Sequence, residues 1–231
     1  MQDKNLFLTG LIGLKKLIFS LKGKLKLISG KRIESPLSQE TRPTSSKVRE
    51  ALINILGNEL KGSSWLDLCS GSGAMACETL QKGVQRVLAI EKQREAVKTC
   101  KKNLMDVSNT MNHSIQIQVI CSELISFLKK GPKNKKIDFI KNFPRAIQKF
   151  DFIFLDPPYE SGLYEFSQEL LFTKKWIKES STLICECSSK AMPRIHNSWK
   201  LYKEKFYGKS SLLFLIPNQA LNCFDDTDSM H

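Results

Sequence analysis

Short runs of consecutive apolar residues alternate along this chain with stretches in which apolar residues recur every three or four positions. The runs are typical of buried parallel strands, and the stripes are typical of helices that cover them. The runs predict strands at Ser64–Leu68, Val87–Ile90, Phe150–Leu155 and Leu183–Cys187, and the alternating segment Ile115–Ile120 predicts a further strand. A closing antiparallel pair is expected at Trp199–Phe206 and Ser211–Ile216. The stripes predict helices after Pro43, from about Ala74, and at Arg94–Asn103, Leu124–Leu128 and Tyr164–Lys178. The alternation of strands and helices predicts an α/β fold.

The apolar run at Phe150–Leu155 stops at Asp156-Pro157-Pro158-Tyr159. Prolines cannot continue a central strand, so Asp156 and Tyr159 should follow its carboxyl end, where open α/β sheets bind ligands. The Asp156 carboxylate and the Pro157 carbonyl can accept hydrogen bonds from an exocyclic amine while Tyr159 stacks on the base. Two acceptors return electron density to an aromatic amine, as methylation of adenine N6 or guanine N2 requires. Alternatively, the prolines only stop the strand and Tyr159 only covers the core.

A second pattern predicts a site for a nucleoside cofactor. The turn Ser70-Gly71-Ser72-Gly73 joins a predicted strand to a predicted helix, so its backbone and the helix amides can approach a ligand closely. Glu91 ends the next strand, where an acid can bind a ribose diol. The turn lacks the third glycine of a dinucleotide site, which favours a smaller adenosyl cofactor. After the third strand, Glu123 or Ser122 could reach the adenine, or could only cap the following helix.

Composition narrows the partner and the compartment. Lys and Arg number 36 against 23 Asp and Glu, so the net charge of +13 favours a polyanion, nucleic acid before membrane. The seven cysteines are odd in number and contain no C-x-x-C pair, which predicts reduced cysteines in the cytoplasm. The three histidines are scattered, so no metal is expected. Lysines interrupt the apolar N-terminal stretch, and we expect neither a membrane span nor a secretory signal.

The sequence divides into a main domain and two unlike ends. A basic arm or hairpin is predicted at 1–40, the main domain at 41–218, and an acidic, disordered tail at 219–231. Leu11, Leu14 and Ile18 have helical spacing, so the arm could carry a short helix that packs on the domain or lies along RNA phosphates. A loop at 129–149 carries eight basic residues against one acid and is expected to open on the pocket side or near it.

Four segments together resemble the bacterial small-subunit ribosomal RNA guanine-N2 methyltransferases of the RsmD type. The similarity extends from about Leu27 to Ile216. Two departures are a short hairpin turn at Ile28–Ile33 and a long loop at 129–149. The segments are Thr41-Arg42-Pro43-Thr44 with Val48-Arg49-Glu50-Ala51-Leu52, Leu66-Asp67 with Gly71-Ser72-Gly73-Ala74, Ser126-Phe127-Leu128, and Asp156-Pro157-Pro158-Tyr159.

The resemblance implies a class I methyltransferase with a Rossmann-like, mostly parallel seven-stranded sheet, an antiparallel last strand and a small N-terminal hairpin. It also implies S-adenosylmethionine as cofactor and a guanine of 16S ribosomal RNA, in this family guanine 966, as substrate. The implied catalytic residues are Asp156, Pro157 and Tyr159, with Asp156 and the Pro157 carbonyl binding guanine N2. The implied cofactor-binding residues are Thr44, Asp67, Ser70, Gly71, Gly73, Glu91 and Glu123. The expected RNA-binding residues are Arg32, Arg42, Lys133, Lys135 and Lys136.

We therefore predict a monomeric, cytoplasmic enzyme that methylates guanine N2 in 16S ribosomal RNA or the assembling small subunit, without a metal or a covalent intermediate. One alternative is a DNA adenine-N6 methyltransferase, which would share the Asp-Pro-Pro-Tyr chemistry. The small size and the lack of a DNA-recognition segment count against it. The other is a catalytically dead methyltransferase fold that binds RNA in ribosome assembly. Intact Asp67, Glu91 and Asp156 count against that alternative.

Overall fold

The computed structural model describes residues 23–36, 44–112, 114–133, 137, 149–158 and 162–218. Most of the predicted arm and the acidic tail therefore lie outside the described residues. The strands are β1 Lys24–Lys26, β2 Arg32–Glu34, β3 Ser64–Leu68, β4 Arg86–Glu91, β5 Gln116–Cys121, β6 Phe150–Leu155, β7 Ile177–Ser188, β8 Trp199–Tyr207 and β9 Ser210–Pro217. The helices are α1 Ser46–Leu56, α2 Ala74–Leu80, α3 Arg94–Ser108, α4 Leu124–Leu128 and α5 Leu163–Thr173. No helix in these ranges is long and apolar enough to cross a membrane.

Strands β3 to β9 form a single sheet in the order β5-β4-β3-β6-β7-β9-β8. The first five strands in this order are parallel, and β9 runs antiparallel to both of its neighbours. This topology confirms the predicted mostly parallel sheet with an antiparallel last strand. The carboxyl ends of β3, β4, β5, β6 and β7 meet at one edge of the sheet, here called the carboxyl edge, and the opposite edge is the amino edge.

Each face of the sheet carries its own apolar core. On one face, Trp65 stacks on Phe154 with ring centroids 6.0 Å apart. On the other face, Phe127 packs against Trp176 at 4.9 Å. Because both faces are buried, the central strands have no polar side, which explains the near-continuous apolar runs in the sequence.

The helix predicted at Tyr164–Lys178 is wrong at its end. The helix stops at Thr173, Lys175 takes a left-handed conformation with φ of 59°, and β7 begins at Ile177. The turn buries Trp176, whose indole N–H donates to the Leu128 carbonyl at 3.0 Å. Lys174 and Lys175 are compatible with a helix, so local pattern could not locate the break, which the packing of Trp176 requires.

The N-terminal hairpin, formed by β1 and β2, confirms the prediction of a small antiparallel pair. It attaches to the main domain through Leu27 and Ile33, which are buried in the same core as Trp65. Its other face presents Lys24, Lys26 and Arg32 to solvent. The hairpin is therefore part of the folded domain and carries an exposed basic surface.

The described ends of the basic loop at 129–149 lie at the amino edge. Gly131 is close to the Lys174 carbonyl, since a Cβ added to it would lie 3.6 Å from that oxygen. Lys149 directly precedes β6, and its carbonyl accepts from Arg86 at 3.1 Å. Strand β6 has six residues and therefore separates the amino edge from the carboxyl edge, where the pocket is expected, by roughly 20 Å. The expected opening toward the pocket is thus wrong for these two ends, and Lys133, which is exposed, belongs to the amino edge.

Candidate active site

A cavity of about 350 Å³ opens at the carboxyl edge of the sheet. Its wall includes the turn after β3, the ends of β4, β6 and β7, and the residue before the cap of α1. The predicted site residues that line it are Thr44, Asp67, Ser70, Gly71, Glu91, Glu123, Asp156 and Pro157. Tyr159, Arg42, Lys135 and Lys136 lie outside the described residues. The strand ends therefore bring both predicted halves of the site, for cofactor and for acceptor base, into one cavity.

The turn between β3 and α2 is shaped by residues with positive φ. Cys69, Gly71 and Gly73 have φ of 64°, 53° and 74°, and the Gly73 amide donates to the Ser70 carbonyl at 2.7 Å. A Cβ at Gly73 would lie 2.7 Å from the Cys100 sulfur, whereas a Cβ at Gly71 would meet nothing within 4 Å. Gly73 is therefore buried behind the turn and allows α3 to pack closely, while Gly71 borders the cavity.

Glu91 supports the turn as well as lining the cavity. Its carboxylate accepts the Gly71 amide at 2.9 Å and the Gln93 amide at 2.8 Å, and the residue is 4% exposed. A carboxylate has about four acceptor positions, so each oxygen retains a lone pair for a ligand hydroxyl. The sequence predicted that Glu91 contacts the ligand, but it did not predict the hydrogen bond from the Gly71 amide of the turn to Glu91.

Asp67 is also buried, at 2% exposed, but it differs from Glu91 in its hydrogen bonding. Its Oδ2 has no hydrogen bond among the described residues. Burial raises the pKa of Asp67 to about 7. The Ala76 amide opposes this increase, and the nearby Glu91 charge adds to it. A buried carboxylate oxygen that lacks a partner is costly unless a cation or a donor reaches it. The cavity wall at Asp67 therefore suits a ligand that carries a positive group, as S-adenosylmethionine does.

The acceptor half of the cavity is built around Asp156, just past β6. Its amide approaches the Leu68 carbonyl at 3.4 Å, which ties the end of β6 to the end of β3. The Thr44 hydroxyl donates to Asp156 Oδ2 at 3.2 Å. The cap of α1 is Ser45, whose hydroxyl accepts the Val48 amide at 3.3 Å. The Thr44 hydroxyl is therefore not needed as a cap and can orient the Asp156 carboxylate.

The Pro157 carbonyl has a neighbour that the sequence did not indicate. The Tyr164 hydroxyl lies 3.3 Å from this carbonyl and 2.5 Å from the Glu186 carbonyl at the end of β7. Because a carbonyl oxygen has two lone pairs, Pro157 can still accept a second hydrogen bond. Tyr164 thus holds the turn after β6 against β7 and leaves the acceptor function intact.

Three buried polar residues behind the cavity were missed by sequence reasoning. Arg49 is not one of the apolar residues of α1, yet it is 2% exposed and pairs with Glu78, also 2% exposed, at 3.2 Å. Asn103 on α3 is 1% exposed and donates to the Ser72 carbonyl at 2.9 Å. Helical spacing marks the apolar side of a helix, but it does not show which adjacent polar residue is enclosed by a distant segment.

A family model described as conserved hypothetical protein 95, the RsmD family, matches residues 23–216. The chain belongs to this family. The RsmD family match includes the hairpin and every described residue that lines the cavity, from Pro36 to Glu186.

Individual relatives agree with this membership. Ribosomal RNA small subunit methyltransferase D of Buchnera aphidicola is 31% identical over 188 residues, which cover 81% of this chain and 87% of that protein. The Escherichia coli protein of the same name is 28% identical, with coverage of 85% and 91%. RsmD family membership therefore rests on matches along nearly the full length of these relatives.

Solved structures share the fold. The Escherichia coli protein yhhF superimposes with a TM-score of 0.66 at 25% identity and covers 85% of this chain and 99% of its own. An RNA methyltransferase from Salinibacter ruber, solved in complex with S-adenosyl-L-homocysteine, matches with a TM-score of 0.52 at 13% identity, covering 77% and 95%. The predicted class I methyltransferase fold is thus confirmed for this RsmD family member.

Proposed function

We propose that this RsmD family protein methylates the exocyclic N2 amine of a guanine in 16S ribosomal RNA, with guanine 966 as the expected target. The proposal rests on one observation above all. Asp67 and Glu91 line a single cavity together with Asp156 and Pro157. A cofactor and an acceptor amine can therefore be held side by side, and relatives of the chain are named for methylation of small-subunit ribosomal RNA.

In the cofactor half, each residue has a distinct proposed part. When bound, S-adenosylmethionine supplies a methyl group on a positively charged sulfur. Asp67 pairs with positive charge on the ligand, and Glu91 accepts the ribose hydroxyls. Ser70 and Gly71 line the turn that borders the ligand, and Glu123 lies at the rim near the end of β5, where an adenine would fit.

In the acceptor half, Asp156 and the Pro157 carbonyl accept the two hydrogens of the guanine amine. Thr44 orients the carboxylate through its 3.2 Å hydrogen bond. As the amine nitrogen forms its new bond it becomes positively charged, and a fixed carboxylate stabilises that charge. Tyr159, which follows directly in the sequence, is proposed to stack on the flipped base.

The hairpin provides the proposed contact with RNA phosphates. Lys26 and Arg32 are directly opposite each other on β1 and β2, and both are exposed together with Lys24. Like charges in cross-strand positions repel each other, so an anion between them would stabilise the pair. Arg42, Lys135 and Lys136 remain predicted RNA contacts. A ribosomal RNA substrate implies a cytoplasmic enzyme, and we expect a monomer.

The direct test is single-turnover methyl transfer to 16S ribosomal RNA and to assembled small subunits, with product nucleosides identified by mass. Asp156→Asn keeps an acceptor oxygen but loses the charge, so we expect a rate about 10²- to 10³-fold lower. Asp106→Asn, an exposed substitution on α3, serves as the matched control and should leave the rate unchanged.

Three outcomes would contradict the proposal. Near-normal transfer by Asp156→Asn would show that the carboxylate is not required. A product of N6-methyladenosine would retain the chemistry but favour the adenine alternative. RNA binding without any transfer by the unmodified protein would favour the assembly-protein alternative.

A further inference from the structure

The first strand of the hairpin is tied to the acceptor half of the cavity by a buried arginine. Arg49 donates from its two terminal nitrogens to the Thr44 carbonyl at 2.7 Å and to the Lys26 carbonyl at 2.8 Å. Its Nε donates to Glu78, whose carboxylate also accepts the Ile28 amide at 3.0 Å. One guanidinium therefore joins β1 and its following turn to the residue whose hydroxyl orients Asp156.

The second strand is tied to the cofactor half by a buried amide. Asn103 accepts the Glu34 amide at 2.9 Å, and its nitrogen donates to the Glu34 carbonyl at 2.8 Å. The same nitrogen donates to the Ser72 carbonyl, inside the turn that borders the cavity. Asn103 therefore connects β2 to the glycine turn, as Arg49 connects β1 to Thr44.

We propose that Arg49 and Asn103 are positioning residues that hold the two halves of the active site in register with the hairpin. Arg49 serves the acceptor half and Asn103 serves the cofactor half. The inference deepens the proposed function, on which it rests, because a hairpin that holds RNA phosphates then has a fixed position relative to Asp156 and to the turn.

Stability alone does not account for these contacts. A buried ion pair adds little net stability, because the cost of desolvating both charges offsets their attraction. Apolar residues of similar volume would fill the space behind the cavity. The planar fork of Arg49 instead reaches three separate segments at once, which a lysine cannot do. The three hydrogen bonds of Arg49 thus fix the positions of Lys26, Thr44 and Glu78 relative to one another.

Arg49→Lys keeps a positive charge near Glu78 but loses the fork. We expect the single-turnover rate at saturating cofactor to fall roughly three- to tenfold, the effect of removing one or two hydrogen bonds, while affinity for S-adenosylmethionine stays within about twofold. Thr44→Val removes the hydroxyl that orients Asp156 and should lower the rate similarly. If Arg49 acts through Thr44, the double variant should be no slower than the slower single variant.

Asn103→Leu, which has a similar volume, should give the opposite pattern. We expect affinity for S-adenosylmethionine to weaken roughly three- to tenfold and the rate at saturating cofactor to change little. Lys102→Ala is the control, since Lys102 forms an ion pair at the surface with Glu34 on the same hairpin and does not line the cavity. It should change neither quantity.

Hydrogen exchange supplies a measurement that does not depend on turnover. Arg49→Lys should raise exchange in β1 and at 44–49 but not at 70–73, and Asn103→Leu should raise it in β2 and at 70–73 but not at 44–49. Equal effects of both variants on rate, affinity and exchange, or additive losses for Arg49→Lys with Thr44→Val, would overturn the inference. Failure of the unmodified protein to methylate RNA would instead overturn the proposed function, while the exchange pattern would still test the two ties.

Discussion

Asp67 and Glu91 show how neighbouring carboxylates acquire different properties from their surroundings. Glu91 accepts two backbone amides, so its charge is already compensated by fixed donors. Asp67 keeps one oxygen without a hydrogen bond among the described residues, and burial raises its pKa to about 7. Asp67 is therefore the carboxylate whose charge state a cationic ligand can change near neutral pH.

We expect S-adenosylmethionine to bind more weakly as the pH falls below about 7, by at most about tenfold per pH unit, because protonated Asp67 no longer pairs with a positive group. Calorimetry between about pH 7.5 and 5.5 measures this dependence. Asp67→Asn should bind more weakly throughout and lose the dependence. Glu123→Gln, at the exposed rim, should keep it. An unchanged pH profile in Asp67→Asn would refute the assignment.

The same pKa predicts how the unliganded protein responds to pH. The pKa of Asp67 is raised in the folded state, from 3.8 to about 7, so the unfolded chain ionises this group more readily. Its contribution to the free energy of unfolding is therefore present below about pH 4 and is lost as the pH rises through about 7. In Asp67→Asn, urea unfolding should show a flatter pH dependence across that window.

Among the elements, the turn between β3 and α2 carries the most demanding backbone geometry. Three of its five residues, Cys69, Gly71 and Gly73, have positive φ, and one non-glycine residue in this set implies local strain. Three hydrogen bonds hold the turn. The Ser70 amide donates to the Ile90 carbonyl, Asn103 donates to the Ser72 carbonyl, and Glu91 accepts the Gly71 amide. A ligand therefore meets a preformed backbone.

Gly73→Ala and Gly71→Ala form a matched pair that separates strain from crowding. Both place a Cβ at positive φ, which costs about 1–2 kcal/mol. Only the Gly73 variant also meets the Cys100 sulfur, at 2.7 Å, which adds about 1–3 kcal/mol. Urea unfolding without ligand should rank Gly73→Ala as clearly less stable than Gly71→Ala. Equal stabilities would show that α3 moves away at little cost.

Exposed basic residues lie on more than one surface of the protein. The hairpin exposes Lys24, Lys26 and Arg32 on one surface. Other lysines lie at the amino edge, where the strands begin. These are Lys61, Lys82, Lys133 and Lys174, all of them exposed. The excess positive charge of the chain is thus not confined to the surface that we propose to bind RNA.

Replacing Lys24, Lys26 and Arg32 together by Gln should lower the salt dependence of RNA binding. The slope should fall by roughly 0.7–0.9 for each RNA phosphate that these side chains no longer neutralise. Turnover of bound RNA should change little, because these side chains face solvent and not the cavity. The matched control replaces Lys61, Lys174 and Lys175, which are exposed at the amino edge, by Gln and should leave the slope unchanged. Equal reductions in both triple variants would indicate general attraction of RNA to a basic protein.

Local pattern was sufficient for the strands and for the two segments that define the cavity. The apolar runs predicted β3, β4, β6 and the second half of β7, because burial on both faces leaves a continuous apolar stretch, whereas the partly buried β5 was predicted from alternation. Asp156-Pro157 and the turn at Ser70–Gly73 were placed correctly at strand ends, since prolines and glycines have strong local conformational preferences. The resemblance to the RsmD family, carried by these segments, was confirmed by the family match.

Other features depend on contacts between residues far apart in the chain. Thr44 meets Asp156 across 112 positions, and Ile28 meets Glu78 across 50, so no periodicity could reveal either pair. The burial of Arg49 follows from the hairpin that encloses it, and the end of α5 follows from the place where Trp176 packs. Secondary structure is encoded locally by burial and backbone preference, whereas the support behind the cavity exists only once distant segments have been folded against one another.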